Sequence, residues 1–142
     1  MKKLEGAGLR GQNAGQTSLS TVEQDGSLRY LGYSIEDLAD NASFEEVAYL
    51  LLLGKLPTSS ELSKFEDDLA GQRKMPGSLI GVVESIPASA HPMEVIRTII
   101  SYMGVIEPEL SFDDQLAVAK RLIGVTTTAV SYTHLTLPTR LL

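Results

Sequence analysis

The rhythm of apolar and polar positions changes near residue 34. Before it, two short β-prone runs, 17–22 and 27–31, flank Glu23-Gln24-Asp25-Gly26. Asp-Gly between such runs signals a hairpin, because glycine takes the positive φ that a tight turn requires. A small β-hairpin is expected there. Beyond it the period becomes helical. Ser43-Phe44-Glu45-Glu46 forms a capping-box pattern, in which a hydroxyl and a carboxylate satisfy free amides at a helix start. Phe44, Val47, Ala48 and Leu51 then fall at i, i+3, i+4 and i+7, while Leu50, Leu52 and Leu53 spread apolar character round the remaining circumference. The pattern predicts a helix buried on most sides, stopped by Gly54 and Pro57.

A further helix is expected to restart at Ser59 or Ser60, with Leu62, Phe65 and Leu69 opposite a solvated face of Lys64, Glu66, Asp67 and Asp68. A shorter one, 76–86, is weakened by Gly77 and Gly81. Pro92 suits the first helical position of a segment running to Tyr102, whose Met93, Val95, Ile96, Ile99, Ile100 and Met103 predict central packing. Gly104 and Pro108 mark its exit. A last helix, 111–123, places Phe112, Leu116, Ala119 and Ile123 on one face. The expected class is all-α after a small hairpin, divided into an N-terminal segment 1–33, a helical part 34–124 and a tail 125–142. After Gly124 the amphipathic pattern gives way to Val125-Thr126-Thr127-Thr128-Ala129. Residues 130–139 resemble a translated sequencing-library adapter, so the tail is expected to be a read-end artefact on a truncated gene.

Composition narrows the function classes. The chain has 142 residues, 43% hydrophobic and 21% charged, which is ordinary for one globular domain. It contains no Cys, which excludes disulfides, thiolate metal sites and a cysteine nucleophile. The richest apolar run, Val47 to Leu53, is far shorter than the roughly 18 to 20 residues of a membrane span. Lys2 and Lys3 are followed by Glu5 and glycines rather than an apolar stretch, so a cytoplasmic location without membrane association is expected. A net charge of -6 with no basic stripe argues against nucleic acid, whose binding rests on clustered cations. An anionic ligand would have to be met by individually placed arginines.

Few residues carry chemistry by themselves. His91, immediately before Pro92, reads as a helix N-cap or packing residue rather than a catalytic base. His134 lacks the spacing to join it in a metal site. Asp67-Asp68 and Asp113-Asp114 are neighbours in sequence, and side chains about 100° apart on a helix do not face each other. Solvated faces and helix-start charges explain them. No Gly-x-Ser-x-Gly elbow is present.

A longer ordered string is more specific. Gly8-Leu9-Arg10-Gly11-Gln12-Asn13-Ala14-Gly15 leads into Thr17 and Ser20-Thr21-Val22, then Tyr30, Gly32, Tyr33, Ile35, Asp37, Leu38 and Ala39, then Phe44 to Leu51. Gly54-Lys55-Leu56-Pro57, Glu61-Leu62 and a block of His91-Pro92-Met93, Val95, Arg97, Thr98, Ser101 and Gly104 follow in order. Over approximately Leu4 to Gly124 this string resembles the citrate synthase family, and within it the 2-methylcitrate synthases. Leu31 departs from the family pattern, which often has Arg between the Tyr and the Gly.

The resemblance implies the N-terminal part of the family's large helical domain. The full-length enzyme would be a homodimer that condenses propionyl-CoA or acetyl-CoA with oxaloacetate, using no metal and no tightly bound cofactor, with acyl-CoA as substrate. Removing the weakly acidic proton beside a thioester carbonyl needs a placed base and donors for the developing enolate. The family uses two His and one Asp, and no position here matches their motifs, so no catalytic residue is assigned. Arg10, between Gly8 and Gly11, can approach a phosphate closely and resembles a coenzyme A contact of the family. Arg73, beside Lys74, is a weaker anion-binding candidate. The competing reading is a non-catalytic helical interaction module.

Overall fold

A computed structural model of the chain describes residues 15–135. Among them are six α-helices and one three-stranded antiparallel sheet, so the class is all-α with a small sheet ahead of the helices. Internal contacts divide the chain into two compact units, residues 1–56 and 57–142.

In the first unit β1 (Ser20–Val22) pairs with β2 (Leu28–Tyr30) in the register Ser20↔Tyr30 and Val22↔Leu28. This is the expected hairpin. Gly26 sits at φ 87, its amide donates to the Glu23 carbonyl at 3.0 Å, and the Ser27 amide donates to Asp25 Oδ1 at 2.9 Å. That bond holds the Asp25 carboxyl below its ordinary pKa. A third strand, β3 (Tyr33–Ser34), was not expected from the pattern. It returns on β2 through Leu31 at φ 48 and Gly32 at φ 90, the positive pair that marks a type I′ turn.

Helix α1 (Ile35–Asn41) starts where Ser34 Oγ accepts from the Glu36 and Asp37 amides. Helix α2 (Phe44–Leu53) has the expected box: the Glu46 amide donates to Ser43 Oγ at 3.1 Å and the Ser43 amide to Glu46 Oε2 at 2.7 Å. Gly54, at φ 80, ends it. Burial around α2 is narrower than expected. Tyr49 and Leu50 are buried, but Phe44 is 66% exposed. A helix apolar all round needs cover on several sides, and these residues supply it on few.

The second unit holds α3 (Ser59–Gly71), α4 (Gly77–Ser85), α5 (Pro92–Ile106), a 3-10 turn at Phe112–Asp114, and α6 (Gln115–Leu135). Helix α3 begins at a second capping box, Thr58 with Glu61, and buries Phe65 and Leu69 as its stripe predicts. His91 caps α5, its Nδ1 accepting from the Met93 amide at 3.2 Å ahead of Pro92. Helix α5 passes Gly104 and stops at Ile106, the burial of Val95, Ile99 and Met103 outweighing the low helix propensity of that glycine.

The core joins Met75, Leu79, Val83, Val95, Ile99, Met103, Val125 and Ala129. Two expectations are corrected here. The last helix does not stop at Ile123 but continues to Leu135, so the Thr run is helical. Thr127 Oγ1 donates back to the Ile123 carbonyl at 3.0 Å, and burial of Val125 and Ala129 outweighs a weak local propensity. The packed face is therefore not Phe112-Leu116-Ala119-Ile123; Phe112 is 84% exposed. Among the described residues no helix is long and apolar enough to cross a membrane.

Candidate functional site

The turn from α3 to α4 carries Arg73 and Lys74, both exposed, directly after the α3 cap Gln72. What fixes this turn is α6. Lys120 Nζ donates to Asp68 Oδ2 at 2.8 Å and lies 5.5 Å from the centre of the Phe65 ring. A turn later along α6, a Cβ on Gly124 would stand 2.7 Å from Gln72 Cβ and 2.9 Å from its carbonyl carbon. Another turn on, Thr128 Oγ1 donates to the Arg73 carbonyl at 2.7 Å. Positions 120, 124 and 128 share one helix face at i, i+4, i+8 spacing, so the run 68–73 is held along its length.

The Arg73 backbone is thus anchored while its guanidinium faces water. Such a cation beside Lys74 can attract an anionic group, and it also suits the end of a helix, where cations complement the dipole. Arg10 lies outside the described residues. The hydrogen bond and charge of Lys120 hold the Asp68 carboxyl below its ordinary pKa. One residue further along α6, Arg121 clamps the end of α5, with Nη2 donating to the Glu107 carbonyl at 2.8 Å and Nη1 to its carboxylate.

One member of each acid pair has a structural role: Asp68, expected on the solvated face of α3, is instead paired with Lys120 of α6, and Asp114 Oδ2 accepts from the Leu110 and Ser111 amides at 3.2 and 3.0 Å. No group of three His, Cys, Asp or Glu able to hold a metal occurs among the described residues. A cleft of about 410 Å³ is lined by Asp68, Gln72, Asp113, Leu116, Ala117 and Lys120. A shallow groove of about 550 Å³ runs along the outer face of α5, over Met93, Glu94, Ile96, Arg97, Ile100 and Ser101. The roles of Lys120, Arg121 and Thr128 were not legible in the sequence. Their partners lie 52, 14 and 55 residues away and leave no local pattern.

The family profile described as "Citrate synthase, C-terminal domain" matches residues 8–137. The chain belongs to the citrate synthase family. It is 52% identical over 132 residues to the 2-methylcitrate synthase of Shewanella oneidensis, covering 92% of this chain and 35% of that protein. It is 39% identical over 129 residues to the 2-methylcitrate synthase of Mycobacterium tuberculosis, covering 87% and 32% respectively.

Solved citrate synthases share the fold. The enzyme of Thermotoga maritima superposes with a TM-score of 0.81 at 30% identity, over 93% of this chain and 35% of that one. That of Thermoplasma acidophilum, solved as a ternary complex with carboxymethyl coenzyme A and oxaloacetate, gives 0.79 at 32% identity, over 89% and 35%. The chain therefore spans about a third of the length of the citrate synthases it matches.

Proposed function

We propose that the chain is the N-terminal part of the large helical domain of a 2-methylcitrate or citrate synthase. The full-length enzyme condenses propionyl-CoA or acetyl-CoA with oxaloacetate, as a cytoplasmic homodimer with no tightly bound cofactor. The observation that carries this reading is the 52% identity to a 2-methylcitrate synthase over nearly the whole chain. In support, the structural relative from Thermoplasma acidophilum holds a coenzyme A derivative and oxaloacetate together. In this reading the segment contributes scaffold and cations. Arg10 contacts a phosphate of coenzyme A, Arg73 adds a weaker attraction, and the groups that remove the proton beside the thioester come from the remainder of the enzyme.

The test compares the two lengths. The full-length parent should release free coenzyme A from propionyl-CoA or acetyl-CoA only when oxaloacetate is present, while the 142-residue chain shows no turnover above a no-enzyme control. In the parent, Arg10→Ala should weaken acyl-CoA use by about 1 to 3 kcal/mol, as loss of a charge-assisted contact does. An unchanged acyl-CoA KM and turnover would remove Arg10 from the site. A second reading, a non-catalytic helical interaction module, is favoured by the lack of a catalytic His and Asp constellation among the described residues. Sequencing the source locus past codon 142 separates the two: His and Asp motifs downstream support the enzyme.

A further inference from the structure

We draw no further inference here: the strongest candidate, the outward groove of α5 over Met93, Ile96 and Ile100 with Arg97 and Ser101 at its side, is an unpartnered apolar face and nothing in the structure shows what covers it.

Discussion

Two residues carry testable backbone demands. Gly124 is buried where α6 meets the Gln72 cap, and an added Cβ would fall within 3.0 Å of both side-chain and backbone atoms there. The backbone of a capped turn cannot swing aside as a long side chain can. Gly124→Ala should therefore destabilise the chain by about 1 to 3 kcal/mol despite the better helix propensity of alanine. Gly81→Ala and Gly104→Ala serve as controls, since nothing lies within 4 Å of their added Cβ atoms. Each should stabilise by about 0.5 to 1 kcal/mol. Urea melts of the three variants check this, and a stabilised Gly124→Ala would show that the Gln72 turn yields to the added methyl group. Leu31 is the converse case, a branched side chain at φ 48. Asn before Gly is the favoured type I′ pair, so Leu31→Asn should raise stability by roughly 1 kcal/mol. A lower melting temperature would mean that the leucine side chain contributes more by packing than its backbone costs.

At the level of elements, legibility followed the range of the signal. The Ser43 and His91 caps, the stop at Gly54 and the Asp25-Gly26 turn are written within a few neighbouring residues, and all were found where the pattern put them. Strand β3 was missed because it spans only Ser34 and Tyr33 and follows a Leu-Gly turn, which lacks the usual Asn or Asp. The reach of α6 was missed because its decisive partners are distant: Arg73 for Thr128, Gln72 for Gly124, and the α4 and α5 core for Val125 and Ala129. The candidate site divides likewise. Arg73 was visible as a cation at a helix end, but its anchoring by α6 was not.

The pairing of α3 with α6 also has a pH signature. With its folded-state pKa depressed by Lys120, Asp68 adds stability that is complete above its unfolded pKa and is lost as pH falls through the lower folded value. The melting-temperature gap between the native chain and Asp68→Asn should be full above about pH 5 and close as pH falls below about 4. Added salt should narrow the gap at neutral pH, because both groups are partly exposed. A gap that stays constant across that range would place the effect of the substitution elsewhere than in the ion pair.

At the scale of the molecule, several large apolar side chains among the described residues of the second unit stand exposed. Met93, Val105, Leu110 and Phe112 are 61%, 74%, 85% and 84% exposed, and Ile100 lies with Met93 along the same groove of α5. Single exposed apolar residues are common, but contiguous ones favour association. The chain spans about a third of the length of the Shewanella oneidensis 2-methylcitrate synthase and of the Thermotoga maritima citrate synthase. The isolated 142-residue chain should accordingly self-associate at micromolar concentration, with a light-scattering mass that grows with concentration. Replacing Met93 and Ile100 by Glu and Lys should reduce that growth without lowering the melting temperature, because neither side chain belongs to the buried core. The salt response separates the apolar cause from an electrostatic one. Apolar association strengthens with sulfate, whereas attraction between charged faces weakens with ionic strength. A native chain that stays monomeric under all these conditions would show that the exposed residues of α5 and of the segment after it do not form one cohesive patch.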